Sequence, residues 1–366
     1  MKHLKKSSSK NSAPVKIDQD PLFGKIAALI QESKQRVAVS VNAELTMLYW
    51  NIGKHIKTEI LNNKRADYGQ RILITLSQQL TENFGKGWSV KQLQHCLHIA
   101  EIFPDEQNVY TLCRQLTWSH LRAIMYIEKE LKREFYIEMC KMERWSVRQL
   151  SERIGSMLYE RTAISKKSEE TIKQDLNLLK DEQKLSPDLV FRDPYFLDFL
   201  GLKDTYSEKD LETAIIAELQ RFILEFGNDF AFLARQKRIT IDNEDYKIDL
   251  LFYHRKLKCL VAIDLKLDKF KAVYKGQMEL YLRWLEKYEA VEGENSPVGL
   301  ILCSDSNKEH IELLRLDKSK IKVATYLTEL PPVKLLQEKL HRAISIAREK
   351  LENSTKDFSS TSRLED

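Results

Sequence analysis

The sequence predicts a helical first half followed by an α/β second half. Three observations carry that prediction. Apolar residues recur at three- and four-residue spacing through stretches such as Ile26 to Ile60 and Ile72 to Phe84, the period of an amphipathic helix. From Ala231 to Leu267 that spacing gives way to short runs suited to strands. Between the two, residues 166–187 are charged and hydrophilic and end in Ser186-Pro187, which marks a boundary near residue 186. At 366 residues there is room for two domains of ordinary size, and 43% hydrophobic content with 11 Gly and 8 Pro suits a compact, helix-rich protein.

The chain opens on a basic leader, residues 1–19. Lys2, Lys5, Lys6, Lys10 and Lys16 precede the first acidic residue, Asp18, and account for the whole net charge of +5. The leader is expected to be disordered and solvated; weak, salt-sensitive phosphate binding is its functional alternative. The remainder is close to neutral, so bulk charge does not identify a nucleic-acid partner. The helical domain then covers 20–185, with breaks at Gly85-Lys86-Gly87, at Phe103-Pro104-Asp105 and around Trp118-Ser119. At each a Ser or Asp suits the cap of the next helix. Trp88-Ser-Val-Lys-Gln-Leu93 is echoed by Trp145-Ser-Val-Arg-Gln-Leu150. The echo reads either as a reused cap, with Trp stapling the helix entry, or as paired helix-turn-helix-like units that approach DNA.

The second domain is expected over 186–352. Ser207 caps a helix that runs to Phe226 and is closed by Gly227. Strands follow near Ala231–Ile241, Tyr246–His254 and Lys258–Leu267, the first two joined by the turn Asp242-Asn243-Glu244-Asp245. A helix over Lys275–Tyr288, strands over Val298–Cys303 and Val323–Leu327, and a closing helix over Val333–Leu351 complete it. Residues 353–366 read as a disordered tail.

The five cysteines are scattered without a C-x-x-C pair, which suggests reduced thiols in a cytoplasmic protein. No apolar run approaches the length of a membrane span, and no signal-peptide pattern is visible. His95, Cys96 and His98 lie close together, but with no second cluster to complete a tetrahedral zinc site they read as helix residues.

The chemistry sits in the strands. In Tyr246-Lys-Ile-Asp-Leu-Leu-Phe-Tyr-His254, Asp249 interrupts an otherwise apolar run. In Leu260-Val-Ala-Ile-Asp-Leu-Lys-Leu267, Asp264 and Lys266 are two apart and share a face. Alone, that Asp and Lys also suit a structural ion pair. With Asp249 on the neighbouring strand, two carboxylates come together and repel, and a divalent cation is the natural way to keep both ionised. In the preceding helix, the apolar stripe of Leu211, Ile215, Leu219, Phe222 and Phe226 centres near Glu212. Glu212 is therefore expected to face the site, while Glu218 and Glu225 fall toward the stripe's border and are expected to be solvated.

The order Glu212, Asp249, Asp264-Leu-Lys266 resembles the PD-(D/E)XK nuclease superfamily, and the chain is similar to its YhcG-like branch. The resemblance rests on Asp193-Pro-Tyr-Phe-Leu-Asp-Phe-Leu-Gly-Leu202, Arg235-Gln-Lys-Arg-Ile-Thr-Ile241, Ile248-Asp-Leu-Leu-Phe-Tyr-His254 and Gly276-Gln-Met-Glu-Leu-Tyr-Leu282. In the first half it continues through Trp50-Asn-Ile-Gly53, Phe84-Gly-Lys-Gly-Trp-Ser89 and Leu116-Thr-Trp-Ser-His120. Ile248 stands where the motif's name has Pro, and Asp264 replaces the more frequent Glu. The resemblance implies a restriction-endonuclease-like α/β domain, a mixed central sheet flanked by helices, behind the helical N-terminal domain. It implies phosphodiester hydrolysis with Mg²⁺, or Mn²⁺ in its place. Asp249, Asp264 and the Leu265 carbonyl would hold the metal, Glu212 would be a direct or water-mediated ligand, and Lys266 would orient the attacking water. Gln277 matches an accessory position, with Tyr281 one turn on, though helix packing explains both equally well. Arg235, Lys237, Arg238, Lys269, Lys271 and Lys275 lie near the motif strands and are placed to hold a nucleic-acid backbone, DNA rather than RNA. A homodimer is compatible with the superfamily. The other function class is a nucleic-acid-binding or assembly protein that keeps the fold with little hydrolysis.

Overall fold

A computed structural model describes residues 21–62, 66–202, 205–227, 229–306, 311, 313–316 and 319–361. The basic leader read at 1–19 lies outside them, as do residues 362–366. The chain packs as two compact units that divide between Met125 and Tyr126.

The first unit is helical: α1 (Pro21–Asn62), α2 (Ala66–Phe84), α3 (Val90–Ile102), α4 (Glu106–Cys113) and α5 (Trp118–Ile124). α1 crosses α3 at Gly53, where a Cβ would lie 1.7 Å from the Cys96 carbonyl oxygen; only glycine permits that approach. Trp50 is fully buried beside the crossing and donates from Nε1 to the Phe103 carbonyl at 2.8 Å. Asn42 ties α1 to the turn between α4 and α5, donating to the Cys113 and Leu116 carbonyls at 2.9 and 3.1 Å. Ser89 and Asp105 cap α3 and α4 by accepting backbone N–H groups. Ser146 in the second unit caps its helix in the same way, with Gln149 closing a capping box, so both copies of the Trp-Ser echo serve as helix caps.

The second unit begins with α6 (Glu130–Glu143), α7 (Val147–Gly155), α8 (Leu158–Arg161), α9 (Glu169–Glu182) and α10 (Pro187–Val190). The sequence reading put a boundary near 186, whereas these helices pack with the sheet that follows. The tie is chemical. Arg161, fully buried, donates to the Pro194 carbonyl at 3.1 Å and to Glu225 at 2.5 Å. Arg348 donates to the Ser165 carbonyl at 3.3 Å.

The sheet holds β1 (Tyr195–Phe196), β2 (Phe230–Ile241), β3 (Glu244–His254), β4 (Cys259–Leu265), β5 (Val298–Cys303) and β6 (Ile321–Leu327), in the order β1-β6-β5-β4-β3-β2. β2, β3 and β4 form an antiparallel meander, while β5, β6 and β1 add in parallel, which makes the sheet mixed. The other elements are α11 (Glu208–Ala217), α12 (Leu219–Phe226), α13 (Ala272–Tyr288) and α14 (Val333–Thr361). α13 covers one face, with Met278, Tyr281 and Leu285 packed on Leu251, Ala262 and Ile301. It lies so close to β5 that a Cβ at Gly299 would meet Met278 at 2.5 Å. On the other face, Phe222 and Phe226 of α12 pack against Phe230 and Phe252.

Three expectations change. The helix from Ser207 is broken at Glu218, whose φ of −106° separates α11 from α12. Because the break resets the helical phase, Glu225 is not solvated. It accepts from Arg161 and from the Phe196 N–H at 3.0 Å, with Arg192 Nη1 3.4 Å away. Burial opposes its charge, but the two arginines outweigh that and hold its carboxyl below the ordinary range. α14 continues to Thr361 rather than ending near Leu351, because no Gly or Pro follows Leu351 to stop it. Removing Glu225 strands two buried guanidinium groups, so Glu225→Ala should cost about 3–5 kcal/mol of stability in urea unfolding. A loss under about 1 kcal/mol would show that the pair is not held as described.

Candidate active site

The antiparallel register of β3 and β4 pairs Leu250 with Ile263 and Leu251 with Ala262. One step further along both strands, Asp249 stands opposite Asp264, on the face that α13 covers. The sheet splays there. Asp249 Oδ2 accepts the Leu265 N–H at 2.8 Å, and the Lys266 N–H turns to the Leu302 carbonyl at 2.7 Å. Lys266 Nζ lies 3.1 and 3.0 Å from the two Asp264 carboxylate oxygens and 5.3 Å from the centre of the Tyr274 ring. The structure thus brings together Asp249, Asp264 and Lys266, with Leu265 between the last two.

Electrostatics make this a tense cluster. Asp264 is 2% exposed. Burial drives its carboxyl up to about 7; Lys266 opposes the rise and Asp249 adds to it. Asp249 is raised as well, chiefly by burial, against the hydrogen bonds from Leu265 and Gln236. Burial works against the Lys266 ammonium, but Asp264 more than compensates and raises its pKa. Two acids that resist joint ionisation beside a firmly charged lysine are arranged for a ligand with positive charge.

Glu212 is buried as the helix phase suggested, and its partners are specific. Arg235 Nε donates to its Oε1, while Gln236 Nε2 reaches its Oε2 at 2.6 Å and Asp249 Oδ1 at 3.1 Å. Gln236 therefore links the helix acid to the strand acid. Its φ is +50°, a left-handed conformation within β2, a strained backbone of the kind found at functional sites. The sequence reading passed over Gln236, and a signal for it was present. Asp242 and Asn243, with φ of 49° and 64°, make a two-residue turn that pairs Ile241 with Glu244, and that register sets Gln236 opposite Asp249.

Gln277 Nε2 donates to the Tyr281 hydroxyl at 2.5 Å, and Tyr281 is 1% exposed in the core under α13. Both Asp249 and Asp264 raise the Tyr281 pKa behind the larger effect of burial, which places that hydroxyl within reach of their field. The basic residues are not brought together at the acids. Arg235 pairs with Glu212, Lys237 with Glu289, Arg238 with Asp245, Lys271 with Asp268 and Lys275 with Glu279. Pairs as exposed as Arg238–Asp245 and Lys271–Asp268 are weak, so a phosphate can exchange for the carboxylate.

The donor set fits a divalent cation. Asp264 Oδ2 is buried, with the Lys266 ammonium 3.0 Å away and the Asp249 carboxyl beside it. A buried carboxylate oxygen beside a second acid is the group a hard cation satisfies. Among the described residues no three His, Cys, Asp or Glu side chains converge as ligands. At the strand site the side-chain donors brought together are Asp249 and Asp264.

Helix, antiparallel meander and parallel extension, with two acids and a lysine where the strands splay, define a nuclease domain of the PD-(D/E)XK class. Comparison with known proteins agrees. Residues 188–341 match the "YhcG PDDEXK nuclease domain" family, and residues 25–161 match the "DUF1016 N-terminal domain" family. The Escherichia coli (strain K12) protein named "Putative nuclease YhcG" is 32% identical over 356 residues, covering 88% of this chain and 94% of that protein. The chain belongs to the YhcG family of PD-(D/E)XK nuclease-domain proteins. Among solved structures, a repair endonuclease from Pyrococcus abyssi is 18% identical over 36% of this chain and 50% of its own, at a TM-score of 0.25. The solved EndoMS-dsDNA2 complex is 14% identical over 36% of this chain and 49% of its own, at a TM-score of 0.26. The chain spans about half the length of these two. Among the described residues no helix is long and apolar enough to cross a membrane.

Proposed function

We propose that this protein is a divalent-metal-dependent endonuclease acting on DNA inside the cell, with Mg²⁺ as its ion and Mn²⁺ able to replace it. The observation that carries the reading is the Asp249–Asp264–Lys266 cluster, in which two buried acids meet beside a single ammonium. Asp249, Asp264 and the Leu265 carbonyl would hold the metal. Bound there, a divalent ion would supply Lewis-acid polarisation of the phosphate and a lowered water pKa. Lys266, kept charged by its neighbour, orients that water and offsets charge growing on the phosphoryl oxygens. Glu212 acts through Gln236, or through a water, and fixes the direction of the Asp249 carboxylate. Gln277 and Tyr281 present polar atoms from α13 toward the same acids. Lys237, Arg238, Lys269, Lys271 and Lys275 exchange partly exposed carboxylate partners for the backbone, and Arg235 reaches it from beside buried Glu212. The helical half, residues 20–185, whose helices after Tyr126 pack with the sheet, targets the 186–352 nuclease domain to its substrate, and a homodimer would let two sites address two strands. The complete set of charges favours this reading over a binding protein with a retired site. Incubating the chain with Mg²⁺ and a panel of duplex, branched and single-stranded DNA and RNA tests it. Cleavage of DNA is expected, and a DNA mobility shift without metal-stimulated cleavage would favour the binding protein.

Gln236 supplies a narrower test. Outer residues that orient a metal ligand typically govern roughly 10–100-fold in affinity. Gln236→Leu should therefore weaken Mn²⁺ binding by about that factor in titration calorimetry. Unchanged affinity in the folded variant would remove Gln236 from the account.

A further inference from the structure

α1 is anchored to its own unit along one side. Asn42, Trp50 and Gly53 make the contacts to α3, α4 and α5. At 3.6 residues per turn, Ile26, Ile30, Val37, Val41, Leu45 and Leu48 fall within about 100° of arc on a different side. These six are 41% to 61% exposed. Leu29 and Val39 are exposed too but fall off that line. The stripe is about 33 Å long at 1.5 Å per residue and close to three heptads, enough for a helix pair. Most apolar surface of that extent in a helix is covered by a partner.

We infer that this stripe is a homodimer interface, in which α1 packs antiparallel against α1 of a second copy of the chain. The charged residues within the same arc decide both partner and direction. They are Lys34 and Glu44, both exposed. With residue 39 at the twofold axis, Ile30 meets the partner's Leu48, Val37 meets the partner's Val41, and Lys34 meets the partner's Glu44. One axis thus matches four of the six apolar residues to one another and base to acid, as a self-complementary interface requires. A parallel pair would set Lys34 against the partner's Lys34 and Glu44 against the partner's Glu44, which repel. The inference does not depend on the metal site, and catalytic and assembly variants test the two separately.

Sedimentation equilibrium on the full chain reads the result. The wild type is expected as a dimer. Val37→Glu combined with Val41→Glu faces acids against acids and should yield monomer with unchanged helical circular dichroism. Lys34→Glu should weaken the dimer by about tenfold or more, and adding Glu44→Lys should restore it. Direction is read by cross-linking under mild oxidation. Val37→Cys mixed with Val41→Cys should join, and neither should join alone; the five native cysteines are buried thiols and do not compete. A wild type that stays monomeric, or a dimer indifferent to Val37→Glu with Val41→Glu, overturns the interface. Self-joining by Val37→Cys alone overturns the antiparallel register.

Discussion

Asp264→Asn is expected to abolish metal-dependent cleavage while making the metal-free protein more stable. The first effect follows from losing one of two carboxylates that can hold the ion, a loss of roughly 10³-fold or more in rate. The second follows from the acid's environment. Burial raises the folded carboxyl from its ordinary 3.8 to about 7. The folded chain thus holds that proton more tightly than the unfolded chain. The stabilising contribution is fully present below pH 3.8 and is lost as pH rises through about 7. Near pH 8 the wild type carries an ionised acid that its surroundings disfavour, and neutral Asn relieves it. Urea unfolding at pH 8 should show a gain of about 1–3 kcal/mol that shrinks by pH 5. A variant destabilised at pH 8 would contradict this picture of Asp264. On the proposed function, Asp264 trades stability for activity, as active-site groups often do.

Lys266→Met is expected to separate catalysis from metal binding. The ammonium is held charged by Asp264 and lies 13% exposed at the edge of the acid pair. Its proposed role is electrostatic, and removing one such donor typically costs roughly 10²–10³-fold in rate. Taking a cation away from two metal-binding carboxylates leaves ion affinity equal or higher. Single-turnover cleavage and Mn²⁺ calorimetry should therefore move in different directions. A loss of ion affinity equal to the loss of rate would make Lys266 a support for the acids rather than a participant.

Much of this was legible in the sequence for identifiable reasons. Strand alternation is a strict period of two, so the shared face of Asp264 and Lys266 followed from spacing. Ser207 announced its helix because a cap is a local property, and it forms the capping box with Asp210. Glu212 was found because a carboxylate in an apolar stripe is unusual. The failures are equally physical. Phase counting assumes one unbroken helix, and the break at Glu218 undid the placement of Glu225. β1 has two residues, too few to carry a period, and exists because Tyr195 and Phe196 pair with Tyr326 and Leu327. Gln236 was legible only through the register of the Asp242-Asn243 turn; its left-handed φ and its two partners distant in sequence were not. Family resemblance supplied the reaction, which composition and charge alone did not contain.

The central claim is that Asp249 and Asp264 hold a divalent ion that drives phosphodiester hydrolysis. The measurement that tests it most directly is conversion of supercoiled plasmid DNA by wild type, Asp249→Ala and Asp264→Ala, each with Mg²⁺ and with EDTA. The account predicts nicked or linear product from the wild type with Mg²⁺ alone, and none from either folded variant. Cleavage by Asp264→Ala equal to wild type would contradict it.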